Sequence, residues 1–134
     1  MLKLSDDGSS ITKVWENNVL DSQIGAAVLV DGRLYASGHK NRGWHGVDWA
    51  TGKTLFTDNP FRKGPIIAAD GKLILYSEGG DFALADLTAE SLNVISQFEI
   101  ELGSKQHWAH PVVKDGRLYV RHGDVLMVYD VAAE

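Results

Sequence analysis

Apolar residues fall in short runs separated by turns rich in glycine and aspartate. Nowhere do they hold the three-and-four spacing of an amphipathic helix. Three of the runs share one frame. Ala27-Val28-Leu29-Val30, Ile66-Ile67-Ala68-Ala69 and Pro111-Val112-Val113-Lys114 each lead into Asp-Gly, a basic residue and leucine. These tetrads are Asp31-Gly32-Arg33-Leu34, Asp70-Gly71-Lys72-Leu73 and Asp115-Gly116-Arg117-Leu118, spaced 39 and 45 residues apart. After them come Tyr35-Ala36-Ser37, Ile74-Leu75-Tyr76 and Tyr119-Val120-Arg121. Asp-Gly between β-branched and aromatic runs is a hairpin signal, because a type I′ turn needs positive φ at both central residues.

A third run follows each hairpin: Gly46-Val47-Asp48, Phe82-Ala83-Leu84-Ala85-Asp86 and Val125-Leu126-Met127-Val128-Tyr129-Asp130. The first two copies add a fourth, Lys53-Thr54-Leu55-Phe56 and Leu92-Asn93-Val94-Ile95-Ser96-Gln97-Phe98. Four antiparallel strands recurring at this period predict an all-β array of four-stranded blades, a partial β-propeller. The N-terminus supplies a third strand, Leu2-Lys3-Leu4, and a fourth, Ile11-Thr12-Lys13-Val14-Trp15, joined at Asp6-Asp7-Gly8. The 134 residues are therefore read as a single partial propeller domain over 1–134. Its parts are a half blade at 1–17, blades at 24–58 and 63–101, and an incomplete last blade at 108–131. Leu87-Thr88-Ala89-Glu90-Ser91 has helix-forming composition but is short enough to be a turn.

Composition narrows the chemistry. Thirteen Lys and Arg against 18 Asp and Glu give a net charge of −5, which argues against a nucleic-acid partner. No apolar run reaches the length of a membrane-spanning helix, so no membrane insertion is expected, and the first residues lack a signal-peptide core. Zero cysteines exclude disulfides, Cys-ligated metal centres and thiolate nucleophiles. Neither a phosphate-binding glycine loop nor a Gly-x-Ser-x-Gly elbow occurs, and no catalytic residues are assigned.

The segment Asp48-Trp49-Ala50-Thr51-Gly52-Lys53-Thr54-Leu55-Phe56 resembles the repeat of PQQ-like (quinoprotein alcohol dehydrogenase-like) β-propeller proteins. Their repeat carries Thr-Gly-Lys and ends in a docking aromatic. Phe56, Trp15 and Phe98 take that terminal place here, and residues 110–121 are similar to a last blade of bacterial members. The resemblance implies a C-terminal fragment of a ring of seven or eight blades. It also implies a periplasmic or otherwise exported location, which the chain itself does not encode. One branch of the family oxidises alcohols or sugars with pyrroloquinoline quinone (PQQ) and Ca²⁺, and another is a non-enzymatic scaffold. The reading adopted is a non-catalytic binding or scaffolding module with no cofactor in this fragment. The alternative is part of a PQQ- and calcium-dependent dehydrogenase whose catalytic residues lie in absent blades.

In a propeller, loops between second and third strands and links between blades emerge on one face. Here those segments gather basic, imidazole and aromatic groups: His39, Arg42, Trp44 and His45, then Arg62 and Lys63, then His107 and Trp108. Such a face suits a carboxylate-bearing small molecule or an acidic peptide of a protein partner, held by Arg forks and stacking. His107 and His110 lie in an extended segment ending at Pro111, so no metal site is assigned, and His110 is expected to be hydrogen-bonded. Asp48, Asp86 and Asp130 recur at one repeat position and are expected to cap turns. Open blade edges point to association of copies as a homo-oligomer.

Overall fold

The computed structural model describes residues 1–132, in which thirteen β-strands form four antiparallel sheets and no helix occurs. β1 (Leu2–Leu4) and β2 (Ile11–Lys13) make a two-stranded sheet, and β2 ends two residues before Trp15. β3 (Val28–Val30), β4 (Arg33–Gly38), β5 (Gly43–Asp48) and β6 (Thr54–Asp58) follow one another across a four-stranded sheet. β7 (Ile66–Ala69), β8 (Lys72–Tyr76), β9 (Asp81–Asp86) and β10 (Asn93–Glu99) repeat that meander. β11 (Val112–Lys114), β12 (Arg117–His122) and β13 (Val125–Asp130) form a sheet of three. The architecture is that of consecutive propeller blades.

The hairpin chemistry is visible in the backbone. Asp31 and Gly32 have φ of 47° and 73°, Asp70 and Gly71 46° and 70°, Asp115 and Gly116 52° and 70°. Both central residues are left-handed at each turn, the type I′ geometry whose twist matches the flanking strands. Residues 87–91 bend without forming a helical turn, so Leu87 and Leu92 pack beside the core between the first two blades.

Two apolar layers hold the sheets face to face. Tyr35, Trp44 and Phe56 of the first four-stranded sheet meet Ile66, Leu73, Leu75, Ala83 and Ala85 of the second. Ile74, Tyr76 and Phe82 of the second, with Ile100 just past β10, meet Leu118, Val120 and Met127 of the third. β8 explains why its sequence lacks polar alternation: Leu73 and Leu75 fill one layer, Ile74 and Tyr76 the other. Burying each such side chain contributes about 2 kcal/mol.

The fourth-strand aromatics dock as pins. Trp15 donates its indole N–H to the Trp49 carbonyl at 2.9 Å and meets the Trp49 ring edge-on at 6.2 Å. Phe56 lies over Gly46, where a Cβ would come within 2.3 Å of its ring. Phe98 departs from the place expected for it: the register sets Ser96 opposite Leu84 where Phe56 stands opposite Gly46, and Phe98, two residues on and exposed, sits 5.1 Å from Phe82 in its own sheet and 5.4 Å from Tyr129 in the next.

Candidate functional site

Two of the three segments expected to share a face meet, those at 38–43 and 59–63. A cavity of about 550 Å³ opens between the first two four-stranded sheets, within the size range of small-molecule sites. Gly38, His39, Arg42 and Gly43 line it from the β4–β5 turn, Asn59, Phe61, Arg62 and Lys63 from the β6–β7 link, and Glu78 from the β8–β9 turn. Four of the eight candidate residues therefore converge: His39, Arg42, Arg62 and Lys63. Lys63 Nζ lies 2.9 Å from His39 Nδ1 and 3.4 Å from Glu78, which fixes the ammonium against the second blade. Arg42 and Arg62 are exposed, so two guanidinium groups border a cavity whose one carboxylate is already paired.

The turn bearing Arg42 is held from several sides. Asp21 accepts the backbone N–H of His39 at 2.7 Å and of Lys40 at 2.8 Å, and these bonds, led by that from Lys40, hold its carboxyl below the usual range. The Asn41 amide donates to the Asn18 carbonyl at 2.6 Å. Gly38 is required because a Cβ there would stand 2.1 Å from the Asn41 carbonyl oxygen.

Trp44 and His45 are corrected from ligand candidates to supports. β5 begins at Gly43, so both are strand residues, 1% and 2% exposed, with no face for a ligand. Period-two alternation sends them to opposite faces, yet the strand is buried on both. The Trp44 indole donates to the Phe61 carbonyl at 3.3 Å and packs edge-on against the Phe61 ring, so it seats the link carrying Arg62. His45 Nε2 lies 2.8 Å from the Asn41 carbonyl and Nδ1 lies 3.0 Å from Thr57, which seats the turn carrying Arg42.

His107 and Trp108 belong elsewhere, beside the last sheet. Trp108 is 52% exposed. His107 stacks on His122 with ring centroids 3.5 Å apart, and its Nδ1 lies 2.6 Å from the Tyr76 hydroxyl. Burial pushes the Tyr76 phenol up to about 12. Burial and then the neighbouring His122 lower the His107 pKa. The His122 ring nitrogens lie 2.8 Å and 2.9 Å from the carbonyl oxygens of Leu102 and Lys105, tying the 102–105 segment to β12. His122 was legible as a polar residue continuing the inward row of Leu118 and Val120. Glu78 and Asn59 carried no comparable signal, since single polar residues in turns are common.

His110 makes no hydrogen bond among the described residues; its ring lies against Gly25, where a Cβ would be 2.8 Å from Nε2. Asp48 caps its turn by accepting from the Thr51 hydroxyl and backbone N–H, and Asp130 accepts from the Ala132 N–H. Asp86 departs from that role: it binds Lys72 at 2.9 Å and Asn93 at 2.8 Å, joining strands instead. Among the described residues no three His, Asp or Glu side chains converge as a metal-ligand set.

No protein-family model and no curated sequence matches the chain. Solved structures do match in fold. BamB from Moraxella catarrhalis superposes with a TM-score of 0.64 at 16% identity, covering 79% of this chain and 33% of its own. Quinohemoprotein alcohol dehydrogenase from Comamonas testosteroni superposes with a TM-score of 0.57 at 20% identity, covering 75% of this chain and 18% of its own. The chain thus spans about a third and about a fifth of these two structures, and shares their fold in part.

Proposed function

We propose that this chain is a non-catalytic binding or scaffolding module of a PQQ-like repeat propeller. Its ligand is carboxylate-bearing, either a small acid or the acidic side chains of a protein partner. The observation that carries this reading is the inter-blade cavity, where Arg42, Arg62 and Lys63 gather in a protein of net charge −5. Guanidinium forks bind carboxylates bidentately, and the tethered turns pre-organise them. An exported location belongs to the same reading.

Citrate and a hexaglutamate peptide serve as probes in calorimetric titration. Saturable binding of at least one is expected, weakening about tenfold in Arg42→Ala/Arg62→Ala and falling with added salt. Absence of binding by both probes, or equal binding by the double variant, would overturn the reading.

The likeness to quinohemoprotein alcohol dehydrogenase supports a second reading, a portion of a PQQ- and calcium-dependent dehydrogenase. The residues present do not fit that calcium site, because calcium takes clustered carboxylate and carbonyl oxygens, and no such acidic set converges among the described residues. Stoichiometric PQQ binding that requires Ca²⁺ would put the dehydrogenase reading ahead.

A further inference from the structure

His122 sits between two acceptors, and only one form of its ring satisfies both. Nδ1 faces the Leu102 carbonyl oxygen at 2.8 Å and Nε2 faces the Lys105 carbonyl oxygen at 2.9 Å. A carbonyl oxygen can only accept, and a neutral imidazole has a single N–H. The neutral ring therefore meets one carbonyl and turns a lone pair toward the other. The imidazolium, with two N–H groups, meets both. His122 is 5% exposed, so little water reaches the ring to serve in place of a partner. The segment it holds is drawn tight against the β12–β13 turn. A Cβ on Gly103 would stand 2.3 Å from the His122 carbonyl oxygen, and one on Gly123 would stand 2.2 Å from the Ser104 carbonyl oxygen. Outside the three Asp-Gly turns, Lys105 is the one non-glycine residue with left-handed backbone among the described residues, at φ 70°. A lysine rests in that conformation only where its surroundings hold it there.

The charged neighbours favour the cation on His122. Asp124 accepts the Ser104 hydroxyl at 2.9 Å, and that bond, more than the nearby His122, holds its carboxyl below the usual range. The adjoining cation, Arg121, turns its Nε to the Gly123 carbonyl at 2.9 Å. Over the ring lies His107, with centroids 3.5 Å apart and planes 22° apart. Two imidazolium rings stacked so closely would repel, so the stack suits a single charge. His107 is the member suited to neutrality: burial first, then His122, lowers its pKa, although Asp81 on β9 acts the other way. The Asp81 carboxylate is itself engaged by the Ser77 hydroxyl at 2.6 Å, and the Tyr76 hydroxyl stands 2.6 Å from His107 Nδ1. Two like groups in contact are thus driven to opposite forms by their surroundings.

We propose that His122 is a proton-operated clasp, which as the imidazolium holds the 102–105 strap on the β12–β13 turn and on losing one ring proton lets the strap open. The Lys105 end opens first, because releasing its carbonyl frees the backbone to leave the left-handed region. The Leu102 end stays anchored through Ile100, whose N–H donates to the Gly80 carbonyl at 2.9 Å. The strap is closed over the interval of pH in which His122 is charged and His107 is not. Acid charges both rings and drives the stack apart, and base leaves one carbonyl without a donor. Opening changes the surface that carries Leu102 and Trp108, both more than half exposed. The clasp lies at a different junction from the cationic cavity and does not depend on it.

The test is nuclear magnetic resonance of the ¹⁵N-labelled chain between about pH 5 and 9. Long-range ¹H–¹⁵N spectra of the imidazole rings count the protons on each nitrogen, and backbone relaxation reports the strap. Once His107 has fallen to one ring proton, His122 is expected still to carry two. As His122 gives up the second, order parameters at residues 103–106 should drop from about 0.85 toward 0.6, while those of β12 stay high. His122→Gln should leave the strap mobile at every pH. His107→Phe keeps a stacked ring without a titrating group, and its strap should still open as His122 loses its proton. Near-UV circular dichroism of the buried Trp44 checks that both variants fold, and the spectra of the parent chain decide the matter without them. A His122 that never holds two ring protons while His107 holds one overturns the proposal. So does a strap whose order parameters ignore the loss of that proton.

Discussion

At Gly64 the two blades leave no space for a side chain. A Cβ there would stand 1.8 Å from the Tyr76 carbonyl oxygen, while the Gly64 backbone exchanges hydrogen bonds with Ser37 Oγ at 2.8 and 3.0 Å. Gly64→Ala is expected to cost about 3 kcal/mol or more in denaturant unfolding, because backbone rather than a flexible side chain must move. His45→Ala should cost about 3 kcal/mol through the cavity and the two lost bonds, and should also weaken citrate binding by loosening the Asn41 turn. His107 sets a pH dependence. Its pKa is lowered in the folded chain from 6.5, so the unfolded chain binds more protons below that value. Stability contributed by this group is therefore complete above about pH 6.5 and falls as pH drops through the window below it. Urea titrations between roughly pH 7 and 5 should show that slope in the parent chain and a flatter one in His107→Gln. The carboxylates lowered by hydrogen bonds, Asp21, Asp48 and Asp86, lose their contribution only in more acid solution.

Among the elements, the β1–β2 hairpin depends most on few contacts. Leu2, Leu4 and Ile11 are each more than half exposed. What ties the hairpin down is Trp15 over Gly52, where a Cβ would be 2.5 Å from the indole, together with Asn17 bonded to the Gly52 carbonyl and Thr54. Trp15→Ala should abolish exchange protection in residues 2–13 while leaving global unfolding little changed, a separation that residue-resolved amide exchange reads directly. Element existence was plain in the sequence, since Asp-Gly turns and period-two runs are local signals. Element ends were less so: β5 starts at Gly43, before the sequence pattern suggested, because Trp44 and His45 look like loop chemistry when their burial is unknown.

Across the whole molecule, stability passes from blade to blade through the two apolar layers, and the central sheet contributes to both. Leu73→Ala, at a fully buried position, should cost about 3 kcal/mol and lower protection in both four-stranded sheets. Val120→Ala, equally buried but in the second layer, should cost less and release β11–β13 first. The candidate face was legible because propeller connectivity fixes which loops emerge together, and four of the eight nominated residues share a cavity. The other four divide by packing, with Trp44 and His45 drawn inside and His107 and Trp108 placed beside the last sheet.

The sequence by itself determined the strands, their hairpins and their grouping into blades, because alternation and left-handed Asp-Gly turns act over a few residues. Tertiary structure alone decided which of the nominated side chains became supports and which line the cavity. The Lys63–His39 contact spans 24 residues, and Tyr76 and His107 meet across 31. The setting of His122 is likewise a product of packing. It is an ordinary strand residue until carbonyls 17 and 20 residues back in the chain are laid against its two ring nitrogens.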